Sequence, residues 1–372
     1  MMPSYQYAKF RLLQKYSKMR LEDTWYSEKI RAVMALSPEA KAAIGIKRTV
    51  RLVGNFPGLW QRTIEQTPLG SCRWGETLFV ADGPADHYVV LNSMGTLTES
   101  EYRQKLHGAP PESVWGLHME PAEYIDRLGY HADVEHSLIG RFYTNSQSLI
   151  ARGGRYRPSP PYVHLHSGKS WDFLSRATPP AKREGLCVIS SDLATLEGHV
   201  SRMKFLSKLD QSKLRVSIWG RGKSLGALRN HKGYLLNKWD AHSKFKYSVV
   251  IENSKSDLYW SEKFADAILG FSLPLYHGAT DIGDYFPEDS FIRIDITDPD
   301  SLDKIEAILR DNPYSRRLPA IIEARRRILM KYNLYAFLDG ELAAEQSPSC
   351  GERSPGLMAA VRAEAESGRR LG

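Results

Sequence analysis

The stretch from Lys246 to Gly278 limits what this chain can fold into more than any other. It opens on Tyr247, Val249, Val250 and Ile251, a short apolar, β-branched run of the kind found in strands buried on both faces. The run stops at the polar residues Glu252-Asn253-Ser254. After a short loop, Phe264, Ala267, Ile268 and Phe271 recur at helical spacing, and Gly270 falls near the helix end. Leu273-Pro274-Leu275-Tyr276 then begins a second strand. A strand–helix–strand unit of this kind collects its polar residues beyond the strand ends, where open α/β sheets bind ligands.

Part of the chemistry of that crevice is readable from residue types. Ser261 stands where the helix should start and is a candidate cap. A helix start offers free N–H groups and positive partial charge, which favour an anion such as a diphosphate, and Lys263 adds a full positive charge. Glu262 does not suit phosphate but would accept hydrogen bonds from ribose or sugar hydroxyls. Tyr259 would stack on, or hydrogen-bond to, a group held in the loop. The plain alternative is a capped surface helix carrying a solvated Glu-Lys pair.

These residues form a longer ordered set. Tyr247-Ser248-Val249-Val250-Ile251-Glu252-Asn253-Ser254 is followed by Tyr259-Trp260-Ser261-Glu262-Lys263, Ala267-Ile268-Leu269-Gly270 and Leu273-Pro274-Leu275-Tyr276-His277-Gly278-Ala279. The set closely resembles glycosyltransferase family 10, the α1,3/4-fucosyltransferases. That family's donor domain carries a Phe-Glu-Asn-Ser strand, a Tyr-Val-Thr-Glu-Lys helix start and a Pro-Val-x-x-Gly-Ala turn. The resemblance continues through Phe286-Pro287-Glu288-Asp289-Ser290-Phe291-Ile292 to Asp295. It implies an α/β fold of the glycosyltransferase B type, two Rossmann-like domains facing across a cleft, and it is closer to the soluble bacterial form than to the anchored animal one.

Length and composition agree with two soluble α/β domains. The chain has 372 residues, 42% hydrophobic and 25% charged. It has no apolar run near the roughly 20 residues that span a bilayer, and no signal-peptide core at its start. Cys72, Cys187 and Cys350 are few and far apart, which points to a reducing compartment, the cytoplasm, without a disulfide framework. The formal charge of +8 is concentrated early: residues 1–50 hold ten Lys/Arg against four Asp/Glu. This segment reads first as a solvated basic helical extension, and second as an arm that steers the chain to a peripheral membrane surface or other polyanion.

In chain order, helical pieces are expected over 5–45 and a strand over Thr49–Gly54. Further strands fall at Thr77–Val80 and His87–Asn92, a helix at Glu99–Leu106, and a strand over Ser113–Pro121. The interdomain linker is placed in Ser175–Glu184, dividing residues 1–176 from 177–345, with 346–372 as a flexible tail. Beyond it, strands are expected at Leu186–Ser191 and Leu214–Trp219. Helices are expected at His199–Leu209, Leu302–Leu309 and, as one continuous element, Arg316–Phe337.

Several side chains are candidates for chemistry. An arginine at the place of Arg202 binds the donor diphosphate in the resembled family; its planar, permanently charged fork suits two phosphate oxygens, and Lys204 is its rival. Trp219-Gly220-Arg221-Gly222 resembles the family's Tyr/Phe-Gly-x-Gly turn, where Gly220 and Gly222 let backbone approach a nucleotide. Gly222-Lys223-Ser224 is not a P-loop, because Ser217 occupies the position of the first glycine. Glu120 is the chosen general base, since a single inverting displacement needs a carboxylate to take the acceptor hydroxyl's proton. The family's Glu-Ser-Pro signature is matched by Met119-Glu120-Pro121 without the serine, so His118 and Glu123 stay in contention. His118-Met119-Glu120 lacks the second half of a zinc-deaminase motif. His164 and His166, expected on one strand face, lack a third metal ligand. No metal site is therefore assigned, and a divalent cation is expected at most to stimulate.

What the resemblance implies is transfer of L-fucose from GDP-β-L-fucose to a hydroxyl of an oligosaccharide or lipopolysaccharide-type glycan, on N-acetylglucosamine or glucose. Arg202, Glu252, Asn253, Tyr259 and Lys263 would hold the donor, with Glu120 and Glu262 acting at the reacting centre; no nucleic-acid partner is implied. Two alternatives stay open: the same fold with another activated sugar, and a non-catalytic basic protein that docks a polyanion.

Overall fold

The computed structural model describes residues 28–54, 58–92, 97–128, 137–160 and 165–346. The expected helical pieces before residue 28, His164, Cys350 and the tail beyond 346 lie outside the described residues.

The chain builds two sheets. The first takes strands β1 (Arg48–Val53), β2 (Arg73–Trp74), β3 (Thr77–Val80), β4 (His87–Leu91), β5 (Val114–Leu117), β6 (Arg141–Thr144) and β7 (Tyr156–Pro158), in the order β2-β3-β1-β4-β5-β6-β7. The pairs β1–β3, β1–β4 and β6–β7 are parallel, and the short β2 is antiparallel to β3. Near-continuous apolar runs, such as Tyr88-Val89-Val90-Leu91, are buried, as parallel strands require.

The second sheet takes β8 (Arg183–Ser191), β9 (Val216–Arg221), β10 (Phe245–Ile251), β11 (Leu273–His277) and β12 (Ile292–Arg293), ordered β12-β11-β10-β8-β9 with every pair parallel. From β9 onward this is a 2-1-3-4-5 doubly wound order. Its switch point lies between β8 and β10, and such sheets bind ligands beyond the strand ends at that point. The α/β class with two Rossmann-like sheets is therefore what the chain adopts.

By internal contacts the chain divides into one unit of Met1–Gly116 with Ala132–Arg141, and a second of Leu117–His131 with Phe142–Gly372. The first unit packs Ile30, Ile46, Ile64, Cys72, Leu78 and Val80 together. In the second, Trp260 meets Phe286 edge-on at 5.1 Å and Tyr332 at 5.8 Å, and Phe264 meets Tyr276 at 5.0 Å. These rings seat the Glu262–Leu269 helix on its sheet. Glu120 belongs to this second unit, together with Arg202 and Glu262.

Three expectations are corrected. The strand expected over Ser113–Pro121 ends at Leu117, because Pro121 has no N–H for a ladder and instead its carbonyl accepts from Tyr124 and Ile125 at a helix start. His118 and Glu120 thus lie past the strand rather than along one face of it. The single helix expected over Arg316–Phe337 is a helix at Tyr314–Arg327, a π-type turn at Ile328–Tyr332 and a new helix at Leu334–Gln346. Buried Asn333 makes the break: its amide donates to the Leu329 carbonyl, and its Oδ1 accepts from the N–H groups of Tyr335 and Ala336. His166 lies in no strand.

At the end of β9, Gly220 has φ 146°, and a Cβ there would stand 1.8 Å from the Ser190 carbonyl oxygen. Gly220→Ala should cost about 1–3 kcal/mol. The check is the urea midpoint, and an unchanged midpoint would contradict the close approach of the β8 and β9 ends.

Candidate functional site

The site is built outward from the end of β10. Glu252, 1% exposed, follows the strand's last apolar residue. Its carboxylate accepts from the Ser261 N–H at 2.9 Å and from the Ser261 hydroxyl at 2.5 Å. Lys263 Nζ stands 3.6 Å away. Ser261 also caps the Glu262–Leu269 helix, its hydroxyl accepting from the Lys263 N–H. Burial pushes the proton affinity of Glu252 up, against the pull of Lys263. The expected donor contact Glu252 is therefore committed to joining strand end and helix start, although it also reaches the cavity described below.

A second charge network continues along the helix. Lys238 Nζ lies 2.8 Å from Asp266, which is fully buried, and 3.6 Å from Glu262. Lys263 lies 3.7 Å from Glu262. The His166 N–H donates to the other Asp266 oxygen at 3.0 Å. Burial raises the proton affinity of both carboxylates. At Asp266 burial wins, lifting it to about 6. At Glu262 the charges of Lys263 and Lys238 win and hold it well below the usual carboxylate range. Tyr259 is 1% exposed, so its ring lies inside the unit rather than on the loop surface, and burial keeps its phenol neutral.

Arg202 sits on the Glu197–Gln211 helix and is 3% exposed. Nη1 donates to Asn253 Oδ1 at 2.9 Å, and Nη2 to the Ser191 carbonyl at 3.4 Å. The structure thus joins Arg202, Asn253 and the end of β8. Gly222 packs against the Asp192 carboxylate, which accepts from the Ser224 N–H. Glu120 is partly exposed, and Asn145 donates to its backbone carbonyl at 2.9 Å. Burial lifts its carboxyl to about 7; the negative charge of Glu262 adds to this and Lys263 opposes it. Glu123, its rival, accepts from Ser254 at 3.0 Å, and His118 is fully buried with Nδ1 2.9 Å from Thr144 Oγ1.

A cavity of about 240 Å³ opens at the ends of β10, β11 and β12. Its lining includes Glu123, Glu197, Gly198, Asn253, His277 and Asp295. With Glu252, four carboxylates reach it. Such a lining suits a hydroxyl-rich group better than a phosphate.

Residues 179–314 match the model of the glycosyltransferase family 10 (fucosyltransferase) C-terminal domain. That span covers the second sheet, the Arg202 helix and the whole Glu252–Lys263 corner. Over that span the chain is similar to the family 10 C-terminal domain. A putative fucosyltransferase-like protein of Arabidopsis thaliana is 23% identical over 221 residues, which is 57% of this chain and 39% of that protein. The α-(1,3)-fucosyltransferase FucT of Helicobacter pylori is 31% identical over 70 residues, 18% of this chain and 15% of that one. The chain thus matches well under half the length of either relative. A crystal structure of an α1,3-fucosyltransferase superposes at a TM-score of 0.46 with 13% identity, covering 77% of this chain and 91% of that one.

The matched span holds parts that residue spacing did not reveal. Lys238 and Asp266 became partners only through folding, as did His277 and Asp295, which approach to 3.8 Å at the cavity. Asp266 follows Glu262 by one helical turn, and that spacing was the one available signal: two neighbouring carboxylates need a cation. Among the described residues no group of three His, Cys, Asp or Glu is placed to hold a metal ion, and no helix is long and apolar enough to cross a membrane.

Lys238→Met leaves buried Asp266 without its cation and should cost about 3–5 kcal/mol near neutral pH. Without the lysine, the folded state binds protons at Asp266 more tightly than the unfolded state does. The penalty should be small near pH 4 and grow as pH rises through and above 6. Denaturation at pH 5 and pH 8 checks this, and equal losses at both would refute the role of Lys238 as counter-charge.

Proposed function

We propose that this chain is an inverting glycosyltransferase that moves L-fucose from GDP-β-L-fucose to a hydroxyl of a glycan acceptor, forming an α1,3 linkage to N-acetylglucosamine or glucose. The observation that carries the reading is the family 10 match over residues 179–314, coinciding with the sheet whose switch point opens the polar cavity. In this reading residues 177–345 hold the donor and residues 1–176 serve the acceptor, in the cytoplasm.

The reaction is one displacement. The acceptor oxygen attacks the anomeric carbon as the bond to the β-phosphate oxygen breaks, and GDP leaves with the electron pair. Glu120 takes the acceptor proton. A base with a proton affinity near the working pH is the most effective, and burial beside Glu262 lifts Glu120 to about 7. Arg202 and Lys263 offset charge growing on GDP, with Asn253 orienting Arg202. Glu262, held ionised by two lysines, accepts from the hydroxyls of ribose or of the fucosyl ring. Gly220 and Gly222 keep side chains away from the nucleotide.

GDP release from GDP-fucose with N-acetyllactosamine-type acceptors tests this, run beside GDP-mannose and UDP-sugars, with and without divalent cation. Turnover with another donor in place of GDP-fucose would replace the sugar. Glu120→Gln should lower kcat by about 10²–10⁴ while sparing GDP affinity. The base works ionised, so wild-type kcat should fall as pH drops below about 7 and level off above it. A Glu120→Gln enzyme that keeps its turnover moves the base to another residue.

A further inference from the structure

Beside Arg202, the same helix carries a second cationic-type side chain that no sequence motif assigned. His199 is 3% exposed and lies one turn before Arg202 on the helix. Its Nδ1 accepts from the Leu196 N–H at 3.3 Å and meets Thr195 Oγ1 at 3.1 Å. A backbone N–H can only donate, so Nδ1 is the acceptor nitrogen and the neutral ring keeps its proton on Nε2. That Nε2–H is buried and faces the Asn253 side chain without a hydrogen bond of good geometry to it. The Arg202 Nε–H is buried and unpartnered in the same way. Both side chains face Asn253, whose Oδ1 already takes a bond from Arg202 Nη1.

Two orphaned donors at the start of a 15-residue helix are costly unless an acceptor arrives. Asn253 Oδ1 bonds Arg202 Nη1 and leaves the Arg202 Nε–H and the His199 Nε2–H without well-aligned bonds, so an acceptor that meets both must bring more than one oxygen. It must also tolerate the positive end of the helix and the Arg202 charge, which selects an anion. Gly198 leaves room for the approach of backbone: a Cβ there would stand 2.2 Å from the Asn253 carbonyl oxygen. Burial, and then the Arg202 charge, lower the proton affinity of His199, so the ring donates as a neutral imidazole and not as a second full charge.

We propose that His199 is a diphosphate-binding residue, its Nε2–H donating to a non-bridging phosphate oxygen of the bound nucleoside diphosphate next to Arg202. This deepens the donor site of the function proposed above and rests on a nucleoside diphosphate binding there. Division of labour follows from ring geometry: Nδ1 caps the helix and Nε2 serves the ligand.

Asparagine and glutamine separate those two jobs. His199→Asn keeps an acceptor near the cap but loses the distant donor, and His199→Gln keeps a donor at reach and loses the cap. Calorimetry with GDP, guanosine and inorganic pyrophosphate reads the difference. His199→Asn should weaken GDP and pyrophosphate at least about tenfold, leave guanosine unchanged and leave the melting temperature near wild type. His199→Gln should melt lower yet keep most of its GDP affinity. GDP affinity unchanged in His199→Asn, or lost equally for GDP and guanosine, overturns the inference, as does wild-type protein that binds neither GDP nor pyrophosphate. Should the asparagine variant not fold, the glutamine variant decides instead: GDP affinity largely kept supports the inference, and GDP affinity lost at least about tenfold in folded protein overturns it. Pyrophosphate binding that depends on His199, in an enzyme that does not turn over GDP-fucose, would sink the proposed donor and keep this site.

Discussion

The contact between Glu252 and Ser261 holds the second unit together at its chemically important end. A buried carboxylate is expensive unless donors surround it. Here the N–H and hydroxyl of one serine, with Lys263 at 3.6 Å, meet that need. The same hydroxyl accepts from the Lys263 N–H, so the cap of the helix and the solvation of the carboxylate are one arrangement. Strand end and helix start cannot separate without stranding a charge. Packing is equally tight on the neighbouring strand: a Cβ at Gly278 would come within 2.5 Å of Glu252 Cγ and 2.4 Å of the Tyr276 hydroxyl. That explains a glycine where no turn with positive φ requires one.

Much of this corner was legible in the chain because its determinants are local. The run from Tyr247 to Ile251 fixes a buried strand, Ser261 a cap, and Phe264, Ala267 and Ile268 an inward helix face. Each depends on residues within a few positions. Residue types therefore gave the strand–helix–strand unit with nearly its observed bounds. Asn333 shows the limit of the same approach. An apolar periodicity runs through Arg316–Phe337, yet one buried side-chain amide satisfies the groups at a helix end and restarts the chain two residues later. Asparagine is a cap residue by type, but the apolar periodicity running on either side of Asn333 carries no sign of the break.

Partners chosen by topology were not legible. Lys238 lies 28 residues before Asp266 and bonds it because β10 and the following helix return the chain beside it. Glu123 reaches Ser254 across 131 residues, and Arg202 reaches Asn253 across 51. No periodicity encodes such distances. The resemblance identified Arg202 and Asn253 as separate donor contacts, whereas folding makes them one unit, with Asn253 fixing the plane of the guanidinium. Tyr259 differs in another sense: an aromatic residue in a polar loop suggests an exposed stacking surface, but its ring is 1% exposed.

Two carboxylates of one unit end with opposite proton affinities, and the cause is where the lysines stand. Glu262 lies within 3.7 Å of both Lys238 and Lys263, and their charges overcome its burial. At the partly exposed Glu120 desolvation outweighs the pull of Lys263, and the ionised Glu262 pushes it further in the same direction. Separating two acids in this way leaves one ionised and the other with a proton affinity near neutral pH. The separation also runs through Asp266. By keeping Lys238 against the helix, Asp266 supplies the cation that keeps Glu262 ionised, and an ionised Glu262 is part of what lifts Glu120. The proton affinity of the candidate base is thus set partly by a fully buried aspartate that touches neither it nor the cavity.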